Sequence, residues 1–205
     1  MTSLINRDLI GRAFEAANVI APGHGVVLRA AGLTDLHLAL ADAELDLLLI
    51  PAIGAGHDVE RATVGQEPMA FIPGTSADPI ELRDTTDDPL ILPTDACGLA
   101  PYTRRVFAES NVTFVPYAGQ AHDCRVIQDW VELGLGSAML PRSKVDDQAR
   151  ARPVHVDDTP LTIGYEVCWR ASSPVRAEVA HIAAILANPL HASLESISRA
   201  TPPSW

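Results

Sequence analysis

The sequence predicts an α/β chain of two small Rossmann-like lobes joined by two crossover strands, and three observations carry that prediction. Two runs, Leu45–Ile50 and Leu90–Leu92, are almost continuously apolar and each stops at a proline, Pro51 and Pro93. Strands covered by helices on both faces read this way, and such strands belong to parallel sheets. Segments with helical period alternate with these runs. Two further extended stretches, Met69–Pro73 and Ile163–Trp169, flank the middle block, so the chain passes twice between lobes.

The elements follow in order. Ile5, Leu9, Ala13 and Ala17, with Ile10 and Phe14 beside them, repeat at helical spacing and predict a first helix that ends before Pro22, with Thr2 or Ser3 as its cap. Val26, Val27 and Leu28 form a short β-branched run that predicts a strand, broken at Gly32. Thr34 and Asp35 look like the cap of a second helix, Leu36–Ala43. The Leu45–Ile50 strand completes the first unit.

A second β-α-β-α-β unit is expected as strand Leu90–Pro93, helix Gly98–Ser110, strand Val112–Tyr117, helix Asp123–Leu133 and strand Ser137–Leu140. Right-handed crossovers make each unit a small doubly wound sheet. Gly134-Leu135-Gly136 is too short for a nucleotide fingerprint and reads as a helix end leading into a strand. A last helix, Val175–Leu190, starts behind Ser173-Pro174 and returns the chain to the first lobe, while the tail SRATPPSW has no period. The expected division is residues 1–72 with 168–205 as lobe I and 73–167 as lobe II.

With 205 residues, 47% of them apolar, the chain buries a substantial core. Fifteen Lys and Arg against 26 Asp and Glu give a net charge of -11. A surface with that balance repels a phosphate backbone, so this chain is not expected to grip DNA by itself. The first residues lack a signal-peptide core, and no apolar run approaches membrane-spanning length, so a cytoplasmic location is expected. Cys97, Cys124 and Cys168 are odd in number and widely spaced, which predicts free thiols rather than a disulfide framework or a metal pair.

No catalytic constellation is visible: there is no G-x-S-x-G elbow, no phosphate loop, no G-x-G-x-x-G after a strand and no H-E-x-x-H. His122, Asp123 and Cys124 adjoin, but neighbours on a helix point in different directions, and a helix cap facing a cleft is the better reading. Asp87-Asp88 and Asp157-Asp158 read as solvated loops, so neither a metal nor any other cofactor is expected. Thr94, Asp95, Ala96, Cys97 and Gly98 join a buried strand to a helix, where open α/β sheets bind ligands and helix starts offer unpaired N–H groups. At this stage Thr94 and Asp95 stand equally as ligand contacts and as helix caps.

Several segments together resemble the effector-binding domain of LysR-type transcriptional regulators. WVELGLGSAMLPRSKV, residues 130–145, resembles that family's helix-to-strand block, and Leu45–Ile50 its Leu-Asp-apolar strand. Glu67-Pro68-Met69 to Pro73 resembles its first crossing, and Leu82-Arg83-Asp84 with Asp88–Leu92 the way into its second lobe. The resemblance implies a type 2 periplasmic-binding-protein fold, a small organic effector in the interlobe cleft, and self-association as a dimer or tetramer. It also implies that DNA is met only through an N-terminal helix-turn-helix, which this sequence does not contain, and that the chain is not an enzyme. The family also carries a strand ahead of the first helix.

The positions that match the family's cleft are Thr2 and Ser3, Leu33 and Thr34, Pro51 and Ile53, Thr94 through Gly98, and Tyr117, Gln120, Ala121 and His122. Only Thr34 supplies the hydroxyl usual at its place, so a less polar effector is expected. Two competing readings remain: a stand-alone solute-binding or enzymatic protein of the same fold, and a partner-binding module that has lost its ligand.

Overall fold

The computed structural model describes residues 1–54, 59–74 and 78–188. The expected tail, and the end of the last helix at Leu190, lie outside the described residues. Helix α1 runs Arg7–Ile20 and α2 Leu33–Ala41; strand β1 is Leu48–Pro51 and β2 Val59–Ile72. Strands β3 (Ile80–Glu81) and β4 (Leu90–Pro93) lead into α3 (Leu99–Glu109), β5 (Pro116–Ala121), α4 (Cys124–Glu132) and β6 (Ala138–Pro141). Then come β7 (Arg152–Val156), β8 (Thr159–Pro160), β9 (Thr162–Arg170) and α5 (Arg176–Ala187).

The second unit has the expected β-α-β-α-β order. β4 and β5 pair in parallel, and β6 joins on the other side through a parallel bridge between Leu90 and Ser137. All four residues of β4 and all four of β6 are buried, as their unbroken apolar runs require. β5 starts four residues later than expected. Its upstream residues Val112 and Phe114 serve the core from a loop instead, Phe114 stacking on Phe107 with ring centroids 4.5 Å apart, while Val115 is exposed. Asp123 caps α4 by accepting from the amides of Arg125 and Val126, at 2.9 and 3.0 Å. Gly134 ends it in the left-handed conformation, φ 74°.

The two crossings are longer than the apolar runs implied, and they pair with each other. β2 and β9 are antiparallel from Val59 opposite Arg170 to Pro68 opposite Thr162. Further along, β2 pairs with β6 and β7. One strand of 14 residues thus belongs to both lobes, which is why its burial alternates early and becomes continuous, over apolar residues, from Met69 onward. Glu60 of β2 accepts from Trp169 Nε1 at 2.6 Å and Arg176 Nε at 2.9 Å, pinning α5 against the crossings.

The first unit departs from expectation. β1 does not sit in a parallel pair: its partner is β9, antiparallel, with Leu48 opposite Cys168 and Pro51 opposite Tyr165. The apolar run reported burial correctly, since Leu36, Leu40, Leu48, Ile50 and Cys168 cluster on one side and Leu49 joins the main core. Burial on both faces does not report the direction of the neighbouring strand. Val26–Leu28 is no strand at all, and Val27 and Leu28 are 87% and 53% exposed. Among the described residues no strand pairs with that segment, and β-branched residues extend into ladders only where a partner supplies one.

Helix caps also moved. α1 is capped by Asn6, whose Oδ1 accepts from the Leu9 amide at 2.8 Å, not by Thr2 or Ser3. α2 begins at Leu33 behind Gly32, so Thr34 and Asp35 lie in its first turn rather than at its cap. α5 starts at Arg176 without a side-chain cap.

Candidate functional site

The turn between β4 and α3 is where segments from both lobes meet. Residues Asp95–Cys97 form a single 3₁₀ turn, and Gly98, at φ 92°, turns the chain into α3. A Cβ built on Gly98 would stand 3.1 Å from Leu33 Cδ1, 3.2 Å from Pro51 Cγ and 3.4 Å from Ile53 Cδ1. Gly32 likewise faces Ala96, whose Cβ would be 3.3 Å away. Glycine serves twice here, supplying the left-handed turn and admitting the first lobe's loops against the second lobe's helix start. Arg105 Nη2 spans the same gap to the Ala52 carbonyl at 3.4 Å.

The capping reading of this turn loses its support. Thr94 occupies the cap position of the 3₁₀ turn but makes no side-chain capping bond, and its backbone amide donates to Ala121 at 2.9 Å in the β4–β5 ladder. Asp95 is exposed and pairs with Arg104 at 2.8 Å, which offsets its charge near the helix start. Cys97 and Gly98 are buried; Leu33 and Ile53 are half-buried and Pro51 buried.

The other expected positions separate. Thr34, Ser3, Gln120 and His122 are exposed, and Ala121 is buried. Tyr117 turns to α4, its ring edge-on to Trp130 with centroids 5.8 Å apart. Thr2 is 1% exposed, and its hydroxyl is one of the few buried side-chain oxygens without a hydrogen-bond partner among the described residues.

A polar cluster that no sequence motif revealed joins β2, β9 and the loops before α1 and after β6. Glu67 of β2, 8% exposed, accepts from the Tyr165 hydroxyl, from the Ser143 amide at 2.9 Å and from Asn6 Nδ2 at 3.3 Å. Lys144 Nζ donates to the Ile5 carbonyl at 2.8 Å. One carboxylate therefore ties the loop that carries Thr2 to both crossings and to the second lobe. The only sequence signal was a charge at Glu67 ahead of the apolar Met69–Ile72 stretch; which donors would meet it depended on the β2–β9 register. Tyr165 is held well above its ordinary pKa, first by burial and then by the hydrogen bond to Glu67 and that carboxylate's charge.

All three cysteines are free thiols, with Cys97 and Cys168 buried. Burial is the first cause in raising each of them, and Cys124 and Cys168 are pushed up to about 12. Thiols of this kind are poor nucleophiles. Alkylation by iodoacetamide at pH 8 should accordingly run roughly a thousandfold slower at Cys124 in the native chain than in urea, the ratio implied by moving from 9.0 to about 12. Rapid native labelling would contradict the upward shift of this half-buried thiol.

No group of three or more His, Cys, Asp or Glu side chains suited to a metal comes together among the described residues, and no helix there is long and apolar enough to cross a membrane.

Comparison with known proteins places this geometry in context. The LysR substrate binding domain family matches residues 2–189. No curated protein matches the sequence. Among solved structures, a cysteine mutant of OxyR from Corynebacterium glutamicum is similar with a TM-score of 0.77 and 14% identity, covering 99% of this chain and 67% of that one. The regulatory domain of reduced OxyR from Pseudomonas aeruginosa has a TM-score of 0.68 and 20% identity, covering 91% of this chain and 94% of that one. The Synechocystis PCC6803 CcmR regulatory domain in complex with 2-PG has a TM-score of 0.69 and 14% identity, covering 96% and 94%.

Proposed function

Since the chain belongs to the LysR substrate-binding domain family, with the two-lobed type 2 periplasmic-binding-protein fold, we propose that it senses a small organic carboxylate held between its lobes. It is a regulatory binding module and not an enzyme. The observation that supports the cleft reading is the convergence on Gly98, where Leu33, Pro51 and Ile53 of one lobe approach the helix start of the other. Residues 1–72 with those from 168 onward form the first lobe in this reading, and 73–167 the second.

The ligand's carboxylate accepts from backbone amides between Thr94 and Gly98, whose own amides are already paired with Ala121 and Asp95, in a favourable place for negative charge at a helix start. Thr94 and Thr2 add hydroxyls free of other duties, and Leu33 and Ile53 supply an apolar wall. That the CcmR regulatory domain was solved with 2-PG supports a small-ligand reading for a chain of the same fold. The chain acts in the cytoplasm as a dimer or larger assembly, and its charge of -11 leaves DNA contact to a separate module.

A thermal-shift screen against small carboxylates tests the proposal, because a ligand at a hundred times its dissociation constant adds about 2.7 kcal/mol. For whichever carboxylate gives a shift, Thr94→Val should weaken binding roughly ten- to a hundredfold. The ligand-free melting temperature should barely change, because the hydroxyl caps nothing. Lost stability with intact affinity would place the ligand elsewhere.

A further inference from the structure

Lys144, half-buried in the loop after β6, carries a charge that the fold leaves uncompensated. Its Nζ donates to the Ile5 carbonyl at 2.8 Å, and among the described residues no carboxylate stands within ion-pair distance of it. An ammonium has three donors, so one neutral carbonyl leaves two of them and the whole charge unmet. The cations on the helices beside it are engaged. Arg104 pairs with Asp95, Arg105 reaches the Ala52 carbonyl and lies 4.0 Å from Glu109, and Arg125 pairs with Asp129 and Asp146. Glu67 does not take up the ammonium, because the Ser143 amide, the Tyr165 hydroxyl and Asn6 already occupy its oxygens.

The fold holds this side chain in place from both sides. The Lys144 carbonyl accepts from Gln128 Nε2 of α4 at 3.0 Å, and the Ser143 amide is bound to β2 through Glu67. Opposite, residues 2–6 carry the Ile5 carbonyl together with the buried, unpartnered Thr2 hydroxyl. β4 and β5 end side by side, Pro93 opposite Ala121, so the Thr94–Gly98 turn adjoins the start of α4 at Cys124. Beyond the burial that raises it most, the Cys124 thiol lies within electrostatic reach of Cys97, Lys144, Asp123 and Glu67. The ammonium therefore sits between the loop that carries Thr2 and the two helix starts.

We propose that Lys144 is the ligand's counter-ion and that the ligand is a monocarboxylate with an apolar body. This rests on the cleft reading above and adds the residue that selects the charge. One cation balances one carboxylate, whereas a second carboxylate would lie toward Asp123 and Glu67 and lose its hydration without a partner. Leu33 and Ile53, which face Gly98, receive the apolar remainder.

The test titrates acetate, butanoate and benzoate, the amide of each, and the dianions succinate and terephthalate into the 205-residue chain and into Lys144→Met and Lys144→Arg. Calorimetry and thermal shift are the readouts. At least one monocarboxylate should bind tenfold or more tighter than its amide and than either dianion, taking about that ratio for one charge-assisted hydrogen bond. Lys144→Met should weaken the acid roughly ten- to a hundredfold and leave the amide unchanged, erasing the preference; Lys144→Arg should restore most of it. A residue that merely holds Ile5 would shift the ligand-free melting temperature and weaken acid and amide alike. That result overturns the proposal, and so does a preference for the acid that survives Lys144→Met. If Thr94→Val still weakens binding in either case, the cleft reading stands without Lys144. If no monocarboxylate binds at millimolar concentration, both fall together.

Discussion

Glu67→Ala should destabilise the native chain by about 3–5 kcal/mol, measured by urea unfolding, because it strands buried donors rather than merely deleting contacts. The Ser143 amide loses its acceptor, the Tyr165 hydroxyl is left with only the Leu4 carbonyl at 3.5 Å, and Asn6 loses the bond that holds the α1 cap to β2. Glu67→Gln keeps the volume and one accepting oxygen, so a loss of about 1–2 kcal/mol is expected. A double-mutant cycle with Tyr165→Phe should show coupling of about 1 kcal/mol or more, since the two groups bond directly. Additive effects would mean that the two side chains act separately.

The same pair sets an alkaline limit. Tyr165 titrates higher in the folded chain than its ordinary 10.0, so the stability it contributes is full below pH 10.0 and is lost as pH rises beyond it. Tyr102, buried and donating to the Thr162 carbonyl at 2.8 Å, shifts in the same direction. Tyr165→Phe should flatten the fall in stability above pH 10.0, and Tyr102→Phe should remove part of what remains. An unchanged alkaline profile in both variants would contradict the burial argument.

Gly136→Ala is the other change expected to be severe, at about 2–4 kcal/mol. A Cβ there would stand 2.2 Å from the Pro89 carbonyl oxygen, and backbone cannot give way as a flexible side chain does. That carbonyl accepts from the Ser137 amide at 3.0 Å, and the Ser137 carbonyl accepts from Ile91 at 2.8 Å, so the wedge opens the bridge between β4 and β6. Gly134→Ala is the internal control. Gly134 is left-handed but meets nothing within 4 Å, so its replacement should lose only about 1–2 kcal/mol. Equal losses at the two glycines would show that conformation, not contact, decides both.

These glycines also show what a sequence conveys. Gly134-Leu135-Gly136 was readable as a helix end because a left-handed terminus is a local property of the backbone. That Gly136 is also closed by a carbonyl 47 residues earlier in the chain was not readable, since it depends on where β4 lies. Asp123 is legible as a cap for the same local reason, while α1 takes Asn6 as its cap rather than the hydroxyls of Thr2 or Ser3 nearer the terminus.

By itself the sequence determined which stretches are buried, the alternation of strands and helices in the second lobe, the two crossings, and the family that those segments resemble. Each follows from periodicity and from apolar runs that end at proline or glycine, which neighbours in the chain are enough to specify. Only the tertiary structure decided that β1 pairs antiparallel with β9, that Val26–Leu28 forms no strand, and that Glu67 meets Tyr165, Ser143 and Asn6. It also decided which expected cleft residues face each other: Leu33, Pro51 and Ile53 meet Gly98, whereas Tyr117 turns to Trp130. Strand direction, register and long-range hydrogen bonds are relations between distant segments, so a pattern of burial along one segment carries no record of its partner.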